Sequence, residues 1–108
     1  MHAFAHITGG GLAGNTARVV PAGLAAVLDR TTWELPAAVR LMEEHGVPRT
    51  ESERAFNCGV GMVAAVAAEQ ADRAVALLTE RGVPAWVAGT VTAADASGES
   101  ARLTGTYR

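Results

Sequence analysis

The run His6-Ile7-Thr8-Gly9-Gly10-Gly11 constrains this chain more than any other stretch. A short apolar segment, Ala3-Phe4-Ala5, feeds it, and Leu12 to Val20 reads as a helix stopped by Pro21. Strand, glycine turn and helix start together form the geometry in which bare backbone N–H groups converge on an anion. An ordered glycine costs up to about 1 kcal/mol relative to alanine, so three in succession are unfavourable unless something requires them. Two requirements fit: close approach of a ligand phosphate to the main chain, or a tight strand-to-helix turn with Thr8 near the helix N-cap. The residue pattern alone leaves both open.

The rest of the chain fits an α+β domain with a mixed sheet and helices packed on it. At 108 residues it is one domain, 1–108, with 49% hydrophobic and 19% charged residues. Strands are expected at about His2 to Ile7, Leu24 to Leu28, Gly59 to Ala67 (as a central strand), Ala85 to Val91 and Arg102 to Tyr107. The last two flank the polar turn Ala94 to Ser100 and are expected to pair antiparallel as a closing hairpin. After the first helix, helices are expected near Leu35 to Glu44, entered through Thr31-Thr32, then Thr50 to Phe56 and Glu69 to Arg81. In the last of these, Ala71, Ala74, Val75 and Leu78 share an apolar face. The chain opens almost inside a strand, which suggests a piece of something longer.

Charge and residue usage exclude several partners. A net charge of −2 gives no electrostatic case for nucleic acid or an anionic membrane. No apolar stretch reaches the roughly 18 residues of a membrane span. All nine basic residues are arginine, so the lysine that often contacts nucleotide phosphates is missing. The single cysteine, Cys58, has no internal disulfide partner and makes a reducing, cytoplasmic setting the default. No Asp, Glu, His or Cys set has metal-ligand spacing, so no metal site is expected.

The isolated candidates for chemistry are weak. Asp29 reads as a strand-end or cap residue, His45 as a cation at a helix C-terminus, and Cys58 as a buried small hydrophobe. Glu43-Glu44 and Glu51-x-Glu53 look like solvated helix faces. His6 could meet a phosphate or simply be satisfied within its strand. A second glycine-bearing segment, Phe56-Asn57-Cys58-Gly59-Val60-Gly61-Met62, is more telling. Glycines two apart leave one face without side chains, for another backbone or for a ligand, and Asn57 can serve as turn former or polar contact.

Together, His-Ile-Thr-Gly-Gly-Gly-Leu at 6–12 and Phe-Asn-Cys-Gly-Val-Gly-Met at 56–62 resemble the C-terminal domain of the aminoimidazole ribonucleotide (AIR) synthetases, or phosphoribosylformylglycinamidine cyclo-ligases. Arg18-Val19-Val20-Pro21-x-Gly23-Leu24, Asp29-Arg30-x-x-Trp33 and Ala85-Trp86-Val87-x-Gly89 follow the same pattern in order. The resemblance implies one half of a two-domain, homodimeric, cytoplasmic enzyme of purine biosynthesis. That enzyme uses ATP and Mg2+ to close the imidazole ring of formylglycinamidine ribonucleotide. Phosphorylation activates the formyl amide oxygen, the amidine nitrogen attacks, and phosphate leaves. The resemblance further implies a cleft role, facing a phosphate, for His6, Thr8, Gly9, Gly10 and Gly11, joined by Asn57, Gly59 and Gly61. The family's N-terminal domain, with its acidic and nucleotide-binding residues, has no counterpart in the sequence, so the chain alone is expected to be inactive. The alternative is a non-catalytic module that binds a phosphorylated metabolite or a partner.

Overall fold

A computed structural model describes residues 3–108. The elements are β1 (Ala3–His6), α1 (Gly11–Ala17), β2 (Leu24–Asp29), α2 (Ala37–Glu44), α3 (Arg49–Ala55), β3 (Met62–Ala65), α4 (Ala71–Glu80), β4 (Gly89–Ala93) and β5 (Ala101–Thr104). Short 3-10 turns at Arg30–Thr32 and Ala68–Gln70 precede α2 and α4. The class is α+β. His2, expected in the first strand, lies outside the described residues.

The strands form two sheets instead of one. β1 and β3 make an antiparallel ribbon in which His6 opposes Met62, and the Ile7 amide extends the pairing by donating to the Gly61 carbonyl at 3.0 Å. The second sheet has the order β4-β2-β5, with β4 antiparallel and β5 parallel to β2. The expected closing hairpin is therefore wrong: β4 and β5 run in opposite directions, but β2 lies between them. The cause is burial. The apolar run of β2 is shielded best between two neighbours, as buried strands prefer. Residues 94–100 are long enough to step across it, a span of about 10 Å.

Two other strand expectations need correction. Gly59 and Val60 belong to a turn, so β3 starts at Met62, and it pairs with β1 alone instead of being central. The segment before β4 is irregular, although Trp86 is anchored there by an indole N–H bond to the Thr32 hydroxyl at 3.1 Å. The helix entry also differs. Asp29 accepts from the Thr31 amide at 2.9 Å and closes a 3-10 turn. The chain then runs on to Pro36, which stands at the N-cap of α2, because a residue before proline is pushed out of helical geometry.

The main core joins Ala5, Ile7, Leu12, Leu28, Trp33 and Val60, and a smaller one joins Leu35, Val39 and Cys58; Tyr107 packs against both. Tyr107 meets the Trp33 ring edge-on at 5.4 Å, and Trp86 lies 6.0 Å from Trp33 on a tilted plane. Helix α1 packs on α3 and β5, which fixes the glycine turn against α3. By contrast, α4 leaves Leu77 and Leu78 exposed, so the face assigned to Leu78 is only partly covered.

Candidate functional site

The first glycine segment turns sharply after β1. Gly10 stands at the N-cap of α1 with φ 110°, and no side chain caps the helix, so Thr8 is not the cap. Asn15 organises the turn instead. Its amide nitrogen donates to the Thr8 carbonyl at 3.1 Å and the Gly11 carbonyl at 2.7 Å. The Gly11 amide closes the loop onto the Thr8 carbonyl at 3.3 Å. The amides of Gly9 and Gly10, both exposed residues, donate to no described residue.

The three glycines are there for different reasons. A Cβ on Gly11 would lie 2.0 Å from the Glu53 carbonyl oxygen, so this position is glycine because α1 and α3 touch backbone to backbone. Gly10 is set by its left-handed conformation. At Gly9 nothing lies within 4 Å of the Cβ position, so the main chain there is open to approach.

The second segment folds into a compact turn beside the first. Asn57 accepts from the Gly59 amide through its side-chain oxygen at 2.9 Å and from the Val60 amide through its carbonyl at 3.1 Å. Cys58 adopts φ 53°, an uncommon state for a non-glycine residue. It is held there: Trp33 donates its indole N–H to the Cys58 carbonyl at 3.0 Å, and the buried thiol faces the Ser52 carbonyl at 3.7 Å. Burial pushes the thiol pKa up, which suits an inert core residue. Gly59 packs against Pro36, 2.9 Å from its Cβ position to the ring.

Between the two turns lies a groove of about 400 Å3, lined by Thr8, Gly9 and Asn57 with Ile7 and an apolar wall from α2, α3 and their flanks. Pro36, Val39, Met42 and Phe56 are in that wall, and sequence reasoning had assigned none of them to a site. Val39 and Met42 fall within the helix expected near Leu35 to Glu44, which gave them no role beyond helix packing. Of the expected site residues, Thr8, Gly9 and Asn57 line the groove. Gly10, Gly11, Gly59 and Gly61 are not among its lining residues, and His6 sits exposed on β1 opposite Met62. No charged side chain is among the groove's lining residues.

The Glu53 expectation is corrected. Glu53 is not on a solvated face: Arg30 grips its carboxylate in two bonds of 2.7 Å, and the Tyr107 hydroxyl donates to it at 2.5 Å. Burial alone would raise the Glu53 pKa, but the Arg30 and Tyr107 bonds outweigh it and hold the carboxyl below its usual range. The same burial, with the Glu53 contact, pushes the Tyr107 pKa upward. Asp29 serves as a turn cap, and His45 stands at the C-cap of α2 with a ring-nitrogen contact to the Leu41 carbonyl at 2.9 Å.

No group of three His, Cys, Asp or Glu side chains is placed to hold a metal ion among the described residues, and no described helix is long and apolar enough to cross a membrane. Comparison with known proteins supplies the context. Residues 1–100 match the family described as AIR synthase related protein, C-terminal domain. A Streptomyces fradiae protein described as a phosphoribosylformylglycinamidine cyclo-ligase is 53% identical over 111 residues, which takes in 99% of this chain and 61% of that relative. The chain thus spans about three-fifths of the relative's length.

Proposed function

Because the chain belongs to the family of AIR synthase related C-terminal domains, we propose that it forms one wall of a cyclo-ligase active-site cleft. In this reading it binds the phosphate of formylglycinamidine ribonucleotide at the Gly9–Gly10 turn. One observation carries it: Gly9, an exposed residue whose amide has no described acceptor, lines a groove shared by both glycine segments, and the amide of its neighbour Gly10 is likewise without one. Backbone amides donate to phosphate oxygens without a side chain in the way, which the open space at Gly9 permits.

The groove supplies positioning and not acid–base chemistry. Thr8 and Asn57 offer polar contacts at its rim, while Pro36, Val39, Met42 and Phe56 give an apolar surface that excludes water from one side of the substrate. The described residues do not fit a magnesium–nucleotide site, since among them no carboxylate cluster is placed to hold a metal, and the sequence has no lysine. ATP and Mg2+ therefore belong, in this proposal, to a second domain of a homodimeric cytoplasmic enzyme, as does activation of the formyl oxygen.

Incubated alone with formylglycinamidine ribonucleotide, ATP and Mg2+, the chain should release no phosphate and close no ring. Turnover should begin when a polypeptide carrying the nucleotide-binding half is added. Turnover by the chain alone would overturn the division of labour.

A further inference from the structure

β4 is an outer strand of the three-stranded sheet, and no described strand pairs with its free edge. We propose that this edge pairs antiparallel with β4 of a second copy of the chain, joining the two sheets into one of six strands. The inference does not rest on the cyclo-ligase reading.

The hydrogen-bond phase of β4 shows what the edge offers. The Ala88 carbonyl accepts from the Asp29 amide at 2.7 Å, and the Ala94 amide donates to the Gly23 carbonyl at 2.9 Å, so both residues face β2. The register between them is unbroken, from Leu28 opposite Gly89 to Leu24 opposite Ala93. Antiparallel pairing alternates, so Thr90 and Thr92 also bond towards β2. The amides and carbonyls of Gly89, Val91 and Ala93 therefore point away from it. Among the described residues, the Ala93 carbonyl accepts only from the Thr92 hydroxyl, at 3.4 Å.

This edge is complementary to itself. About a two-fold axis at Val91, the two Val91 residues meet, and Gly89 of each copy meets Ala93 of the other. All three outward donors and acceptors of each copy are then paired, and Thr90 of one copy faces Thr92 of the other as a side-chain pair. Edge strands are ordinarily protected by lysine, proline, a bulge or a covering element. Here Gly82 to Ala94 carries no charged residue, Pro84 lies outside the strand, and the register has no bulge. Thr90 to Ala93 are all exposed, Val91 by 50%, and Val83 and Val87 on the segment leading in are about half exposed as well. The other edges fit less well. β1, β3 and β5 have four residues against five in β4, and β5 is packed by α1 and carries Arg102. A strand edge is smaller than a stable interface of about 1,200 Å2, so the dimer is expected to be reversible.

Sedimentation velocity of the chain from about 1 μM to about 1 mM reads the association. A monomer–dimer equilibrium is expected, ending at the dimer because a two-fold contact closes on itself. Val91→Pro removes only an outward donor, leaves the bonds to β2 in place, and should weaken association at least tenfold. Val91→Lys keeps the main chain and sets two cations opposite each other, so it should act in the same direction if the proline variant melts early. Oxidation reads the register: Thr90→Cys chains and Thr92→Cys chains should cross-link far faster when mixed than either does alone. A monomer across the whole range, association unchanged in both Val91 variants, or cross-linking no faster in the mixture would overturn the proposal.

Discussion

At the residue scale, Gly11 and Gly9 look alike in sequence and should behave oppositely. Alanine at 11 puts a methyl 2.0 Å from the Glu53 carbonyl at a backbone φ of 82°, and should cost about 3 kcal/mol or more. Alanine at 9 meets open space, and its stability should stay within about 0.5 kcal/mol of the parent. Urea denaturation of the two variants checks the pair; equal losses would contradict the packing account. Glu53 gives a second residue-scale prediction. Its carboxyl pKa is depressed in the folded state, so the stability it contributes is complete above the ordinary value of 4.5. That stability is lost as pH falls through the folded value. Glu53→Gln should cost about 1–3 kcal/mol at neutral pH and flatten the acid limb of the stability curve below roughly pH 5. An unchanged acid limb in thermal melts would count against it. The sequence could not show this role, because Arg30 and Tyr107 are distant along the chain and reach Glu53 only after folding. The quieter roles of Asp29 and Cys58 were legible, since a strand-end acid and a lone thiol without a partner cysteine depend mostly on local context.

At the scale of elements, β2 is the strand on which the larger sheet depends, and α4 is the least committed helix. Both neighbours of β2 hydrogen-bond to it, and Leu28 joins the main core. Leu12, almost fully buried on α1, ties that core to the glycine turn. Leu12→Ala should cost about 3 kcal/mol, while Leu77→Ala on α4 should cost under about 1 kcal/mol, as read by thermal or chemical denaturation. A larger loss at Leu77 than at Leu12 would mean that α4 is packed more tightly than its exposure indicates. Periodicity found every helix to within a few residues, because amphipathic spacing is a local property. It could not find strand order. The opposite directions of the last two strands were readable from the turn between them, but the insertion of β2 was not. That choice is made by burial of Ala25, Ala26 and Leu28, a tertiary preference that no turn signal encodes.

At the scale of the whole molecule, two ordered glycine segments identified the family, and the structure brings them to one groove. Thr8, Gly9 and Asn57, named from the sequence, line one groove in the structure. Sequence reasoning missed the apolar wall, because Pro36, Val39, Met42 and Phe56 look like ordinary helix packing until the two turns are placed beside them. The groove lining offers main chain and apolar shape but no charged side chain. The central claim is that the Gly9–Gly10 turn receives a substrate phosphate, and calorimetric titration of the chain with formylglycinamidine ribonucleotide tests it most directly. The account predicts one ribonucleotide bound per chain, at least tenfold weaker in Gly9→Ala at unchanged stability, and no binding of ATP with Mg2+. Equal affinity in Gly9→Ala, or tight binding of ATP with Mg2+ to the chain alone, would contradict it.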